Sequence, residues 1–308
     1  MPIHLAPQSR RRFFRDAAIL SLAPATAAAA EKTASQSWAL LADTHIAADP
    51  ELRSRQGTCM AENLRAVVAD LLKEKESLAG IIIDGDCAYD DGQPGDYTTL
   101  ASILEPLAEA EIPLHFTLGN HDNRETFYQA YQEHSTTSPL QSKHCSIIES
   151  AHADWILLDT LRFVNKVEGE LGEEQRTWLK KRLQENPDKP AIIVGHHYPQ
   201  VFREDVIPSE EEKIRISGLL DSRELLTLLS ENTTAKAYIY GHSHLWGHRE
   251  DDSGIHLLNL PPTAYVFQED KPNGWVRANL SPKGMELELR CIDPSHAQHG
   301  ERRELKWR

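Results

Sequence analysis

Five short polar motifs recur in fixed order along this chain, each closing an apolar run that reads as a buried strand. Asp43-Thr44-His45 follows Trp38 to Leu41, Gly85-Asp86 follows Ile81 to Ile83, and Gly119-Asn120-His121-Asp122 follows Leu114 to Leu118. Gly195-His196-His197 follows Ile192 to Val194, and Gly241-His242-Ser243-His244 follows Tyr238 to Tyr240. Nearly all the polar side chains are metal-ligand types. Imidazole nitrogens, carboxylate oxygens and one amide oxygen, gathered at one sheet edge, suit a borderline transition metal without any thiolate.

From residue 37 onward, short strand-like runs alternate with longer helical ones, the pattern of a mostly parallel sheet with crossover helices. Met60, Leu64, Val67, Val68, Leu71 and Leu72 share one helical face, and Leu100, Ile103, Leu104 and Leu107 share another, where Pro106 predicts a kink or an early end. Asp221 and Glu224 have the spacing of a capping box before Leu225 to Leu229. Two antiparallel pairs are also expected, Cys145 to Ile148 with Trp155 to Leu158, and Trp275 to Leu280 with Met285 to Leu289. The fold class is therefore α/β with two sheets and flanking helices. In open α/β sheets ligands gather beyond the carboxyl ends of strands, where all five motifs fall. Pro199 to Ser217 and Asp90 to Asp96 read as long loops for substrate contact. Residues 293–308 read as a polar tail.

Residues 1–30 stand apart. Ser9-Arg10-Arg11-Arg12-Phe13-Phe14-Arg15 resembles a twin-arginine export signal, and the 14 residues from Ala17 to Ala30 form an apolar stretch ending in small residues. That stretch falls short of the roughly 20 residues a membrane span needs. The resemblance implies a mature chain, periplasmic or secreted, that leaves the cytoplasm already folded. Removing four arginines and one acid takes the net charge from −14 to −17. Such a surface repels nucleic-acid polymers, whose binding rests on clustered lysine and arginine. Four cysteines, Cys59, Cys87, Cys145 and Cys291, permit disulfides in an oxidising compartment, with no zinc spacing among them. The sequence leaves the oligomeric state open.

The five motifs, in this order, resemble those of the calcineurin-like metallophosphoesterases, over roughly Trp38 to Leu289. The resemblance implies a four-layer α/β/β/α sandwich with two mixed β-sheets, a single domain over residues 37–292, and a dinuclear metal site. Carried over by position, Asp43, His45, Asp86 and His244 would bind one metal, and Asp86, Asn120, His196 and His242 the other, with Asp86 bridging. His121 would face the substrate and stabilise or protonate the leaving oxygen. Two divalent ions outweigh Asp43 and Asp86 by two positive charges, enough to draw in a phosphate and acidify a bridging water. Hydroxide attack on phosphorus and ester hydrolysis are the implied chemistry. Iron, manganese or zinc, divalent or mixed-valence, suits the donor set.

Within that resemblance, size and the Asp43-Thr44-His45 start are closer to bacterial cyclic-nucleotide and glycerophosphodiester phosphodiesterases than to two-domain nucleotidases. Small phosphodiesters are the first expectation. A phosphomonoesterase, or a non-catalytic metal- or phosphate-binding module, is the alternative. Asp86-Cys87-Ala88-Tyr89 also resembles the second motif of purple acid phosphatases, but those have glycine where this chain has His45. The histidine is preferred as ligand, leaving Tyr89 to packing or to the surroundings of the site and Cys87 as a small buried residue. His242-Ser243-His244 resembles metallo-β-lactamase-like hydrolases only faintly, since Leu245-Trp246-Gly247 stands where an aspartate-histidine pair is required.

Other positions keep two readings. Asp122 orients a histidine or caps a helix near Asn123; Arg124 holds a phosphate oxygen or lies on a solvated helix face; His197 meets substrate or packs. Tyr198, Trp246, Tyr265 and Phe267 line a pocket or belong to the core. His115, His144, His152 and His256 read as structural.

Overall fold

The computed structural model describes residues 4–5, 36–131, 138–200 and 216–308. Two sheets lie face to face. The first runs β1 (His4–Leu5), β4 (Leu114–Thr117), β3 (Leu78–Asp84), β2 (Gln36–Ala42), β11 (Gly274–Ser281), β12 (Gly284–Cys291) and β13 (Arg302–Lys306). The second runs β5 (Ser146–Glu149), β6 (Asp154–Leu157), β7 (Ala191–Val194), β8 (Ala235–Tyr240), β10 (His256–Asn259) and β9 (Gly247–Glu250). Both are mixed. Strands β2, β3 and β4 are parallel, as are β6, β7, β8 and β10, while β11 to β13 and the outer strands β5 and β9 run antiparallel.

The period of two along a strand sorts the apolar residues into layers. Ala39, Leu41, Ile81 and Ile83 turn toward helices α1 (Met60–Lys73), α2 (Pro94–Glu109) and α3 (Arg124–Ala130). Trp38, Leu40 and Ile82 turn the other way, against Trp155, Leu157, Ile192 and Leu258 of the second sheet. Ile156, Ile193 and Leu257 face helices α4 (Glu173–Glu185) and α5 (Ser222–Glu231) together with Leu179, Leu183, Leu225 and Leu229. The result is the four-layer α/β/β/α arrangement, and it explains why strands covered on both faces are apolar throughout.

Helix α2 ends at Glu109, within a turn of Pro106, in keeping with the early end the proline predicts. Two other local expectations are corrected. Asp221 makes no capping box for α5. Its carboxylate instead accepts Leu171 N and Gly172 N, at 3.1 and 2.9 Å, and pairs with Arg176. The supposed polar tail contains β13, which pairs with β12 from Gly284↔Lys306 to Glu288↔Arg302. A single buried leucine, Leu305, and the Arg302–Glu288 ion pair at 2.8 Å hold a strand otherwise built of charged residues. A charged edge strand shows no apolar alternation to read, and its charges discourage further pairing.

The expected export signal lies outside the described residues apart from His4–Leu5, which pairs with β4. Among the described residues no helix is long and apolar enough to cross a membrane. All four cysteines are buried free thiols.

Candidate metal centre

The loops leaving β2, β3, β4, β7 and β8 converge at one edge between the two sheets. Backbone bonds lock the first two together: His45 N to Asp86 O at 2.9 Å and Ile46 N to Cys87 O at 2.9 Å. His242 N, from the second sheet, donates to both oxygens of the Asp43 carboxylate at 3.1 Å. Asp43, His45, Asp86, His242 and His244 all hold positive φ, between 45° and 65°. A non-glycine residue in that region costs on the order of 1–3 kcal/mol, a strain that packing elsewhere sustains and that clusters at functional sites.

Glycine matters at two of these exits. A Cβ on Gly119 would lie 2.1 Å from Asp86 Oδ1 and 2.4 Å from Asp86 N, and one on Gly85, itself at φ +66°, would lie 2.5 Å from His196 Nδ1. Only glycine lets the three loops approach so closely.

Ligand atoms gather in three groups, each within 4.8 Å: Asp43, His45 and His244; Asp86, His196 and His242; and His45, Asp86 and His121. His196 Nε2 is 3.1 Å from Asp86 Oδ2, and His244 Nε2 is 3.4 Å from Asp43 Oδ1. The outward ring nitrogens are held by carbonyls, His196 Nδ1 by Asp84 O at 2.9 Å and His242 Nε2 by Ser217 O at 2.7 Å. That leaves His196 Nε2, His242 Nδ1 and Asn120 Oδ1 buried without a hydrogen-bond partner in the protein. Orphaned donor atoms aimed at a common point, with carbonyls fixing the rings behind them, fit a metal centre.

The electrostatics ask for positive charge. Asp43, Asp84, Asp86 and Asp122 are all buried. Burial raises the Asp43 carboxyl well above its ordinary range and pushes Asp84 and Asp122 up to about 6. Burial would raise Asp86 too, but the positive charge of His196 beside it outweighs that and holds this carboxyl low. The same attraction overcomes desolvation at His196 and lifts it to about 10, whereas burial lowers His242 to about 3 and keeps that ring neutral. Neutral imidazoles and ionised carboxylates are the forms that bind metal, so binding there would draw protons off Asp43 and His196.

His121 lies at the mouth, its Nδ1 on Asp90 O at 2.5 Å and its backbone N on Asp86 Oδ1 at 2.9 Å. Asp122 does neither of the two things expected of it. Its carboxylate takes the N–H groups of Cys87, Ala88 and Gly119 at 2.9 to 3.1 Å and the Tyr97 hydroxyl at 3.1 Å, tying the Asp86 loop to the Asn120 loop. The α3 cap is Asn123, whose side chain accepts Glu125 N. Arg124 likewise departs from both readings, because it forms a two-pronged pair with buried Asp159 at 2.6 and 2.7 Å. His197 is buried, with Nδ1 on Thr160 Oγ1 at 2.7 Å. Tyr89 serves through its backbone, its carbonyl accepting His45 Nδ1 at 3.3 Å, and Cys87 is buried.

The centre opens into a cavity of about 750 Å³. Tyr198, Tyr265 and Phe267 line it, while Trp246 belongs to the core between the sheets. Of the long loop expected at Pro199 to Ser217, residues 201–215 lie outside the described residues; Ile216 and Ser217 line the cavity. A wall that sequence reasoning missed comes from the loop after β6, Asn165 to Glu168. It carries no motif, since its place follows from the packing of the two sheets. His144 and His256 are structural as expected, bonded to Phe116 O at 3.1 Å and Lys306 O at 2.8 Å.

The model of the calcineurin-like phosphoesterase family matches residues 38–245, which contain every converging ligand. The chain belongs to the calcineurin-like phosphoesterase family. This family uses dinuclear metal sites, and the converging ligand groups described above match one. The phosphoesterase is 27% identical over 249 residues to a probable cyclic nucleotide phosphodiesterase of Synechococcus, covering 80% of this chain and 89% of that one. It is also 27% identical over 252 residues to the 3',5'-cyclic adenosine monophosphate phosphodiesterase CpdA of Escherichia coli K12, covering 81% and 83%. A dimetal phosphatase from Danio rerio shares the fold at TM-score 0.69 and 15% identity, over 89% of this chain and all of that one. A purple acid phosphatase from yellow lupin seeds shares it at TM-score 0.56 and 13% identity, over 87% and 53%.

Proposed function

We propose that this phosphoesterase hydrolyses small phosphodiesters, cyclic nucleotides among them. Asp43, His45, Asp86 and His244 would hold one cation, and Asp86, Asn120, His196 and His242 the second. The observation that carries this reading is the set of orphaned, buried donor atoms at a single edge. When bound, the metal pair supplies a nucleophile at neutral pH and charge stabilisation on the phosphoryl oxygens. The chain's own residues do the rest. Asp90 O holds Nδ1 of His121, so Nε2 is the nitrogen left to meet a leaving oxygen. Lys166 adds a cation to the cavity wall, and the cavity volume suits a substrate of nucleotide size. The names of the relatives favour a diester over a monoester. Iron, manganese or zinc suits the nitrogen and oxygen donors.

The test is a metal-loaded preparation assayed on bis-p-nitrophenyl phosphate, p-nitrophenyl phosphate and 3',5'-cyclic nucleotides, with elemental analysis alongside. Diester turnover with two metals per chain is expected. Faster monoester turnover would shift the reading to a monoesterase, and bound metal without turnover would favour a binding module.

We further propose export by the twin-arginine route to the periplasm or beyond, with residues 1–30 as the signal and the phosphoesterase domain running from β2 through β13. The Ser9 to Arg15 cluster supports this. Replacing Arg11 and Arg12 with lysine should retain the protein in the cytoplasm on fractionation; unchanged distribution would refute the route.

A further inference from the structure

Asn165 belongs to the loop between β6 and α4, yet its bonds reach two loops of the other sheet. Its backbone N donates to Asn120 O at 2.6 Å, and its side-chain Nδ2 donates to Asp90 Oδ1 at 3.2 Å. Asn120 and Asp90 flank His121: one precedes it in the chain, and the other accepts its Nδ1. Asn165 also lines the cavity and holds a left-handed φ of +56°, a conformation asparagine tolerates better than most residues. An aspartate here would face the Asp90 carboxylate, and an alanine would lose the bond and resist the backbone angle.

We propose that Asn165 is a positioning residue that fixes the ring of His121 by clamping the Asn120 and Asp90 loops together across the cavity mouth. This rests on the phosphodiesterase reading and on doubly protonated His121 giving its Nε2 proton to the leaving oxygen while Nδ1–H stays on Asp90 O. Small misplacements of an acid cost rate steeply, and most where the leaving oxygen is a poor one.

Asn165→Gly keeps the left-handed backbone and its N–H but removes the amide, so it isolates the side-chain bond. We expect two metals per chain as in the wild type, and kcat on an alkyl phosphodiester down about tenfold with KM changed less than about twofold. On bis-p-nitrophenyl phosphate, whose leaving group needs no proton, kcat should fall less than about threefold. In a His121→Ala background the same change should have no further effect on the alkyl ester. In metal-free protein at alkaline pH, where the ring is neutral, imidazole ¹H–¹⁵N spectra should show His121 as the Nδ1–H tautomer in the wild type and as a mixture in Asn165→Gly. Equal losses on both esters, additivity with His121→Ala, or an unchanged tautomer would overturn the clamp. A wild type inactive on both esters would instead sink the phosphodiesterase reading, with the spectra still deciding whether Asn165 orients the ring.

Discussion

Nε2 of His45 stands 3.1 Å from Nε2 of His244. Each ring presents its Nδ1 to a carbonyl, Tyr89 O at 3.3 Å and Tyr265 O at 2.6 Å. A carbonyl only accepts, so each Nδ1 carries the proton, and in the neutral ring each Nε2 aims a lone pair at the other. Burial keeps both rings neutral, lowering His45 well below its ordinary value and His244 to about 4. Two facing lone pairs are tolerable with a cation between them. Chelation should therefore lower the melting temperature, and restoring manganese or zinc at a thousandfold excess over Kd should return about 4 kcal/mol for each site filled, measured by denaturant titration. Equal stability with and without metal would contradict this account of the pair.

Asp86 and His121 should separate metal binding from turnover. Asp86→Ala removes the carboxylate that lies 3.1 Å from His196 and 3.7 Å from His45, so most metal and nearly all activity should go. His121→Ala should retain the metal while lowering kcat by about 10²- to 10⁴-fold, the range of general acid catalysis. Elemental analysis and kinetics on the same samples check both, and the reverse pattern would overturn the roles.

Gly119→Ala tests the close approach of the loops. The added Cβ, 2.1 Å from Asp86 Oδ1, must displace a proposed ligand, and displacement of about 1 Å can cost on the order of 10²-fold in rate. Circular dichroism should remain native while metal content and turnover drop together.

Arg124 and Asp159 are expected to matter for stability. Burial alone would raise the Asp159 carboxyl, but Arg124 outweighs it and holds the group below its ordinary range. A depressed folded value means that this stabilisation is present above the unfolded pKa of about 3.9 and is lost as pH falls through the folded one. Arg124→Ala strands a buried carboxylate and should cost about 3–5 kcal/mol at neutral pH. Without Arg124, burial raises Asp159 above its ordinary range, so as pH falls from neutral the penalty should begin to shrink above about pH 4, where the variant's buried carboxyl takes up a proton, and urea unfolding across the acid range would reveal this.

Much of the frame was legible along the chain. The runs before the five motifs are β2, β3, β4, β7 and β8, and the Trp275 to Leu289 hairpin pairs as its alternation implies. What failed to read was decided by partners distant in sequence. Asp221 has the spacing of a cap but serves the approach to α4 instead, because Leu171, Gly172 and Arg176 come within reach of it. Arg124 looked like a surface or phosphate group until folding brought it to Asp159, 35 positions away.

The residue types and their order fixed which chemistry is possible: nitrogen and oxygen donors at strand ends, whose buried runs can only be covered by packing on both faces. Tertiary structure alone decided which donors face one another, the left-handed turns at Asp43, His45, Asp86, His242 and His244, and the Asn165 to Glu168 wall. The physical reason is that a ligand's identity is local, whereas its direction depends on how two sheets stack and on which loops they press together.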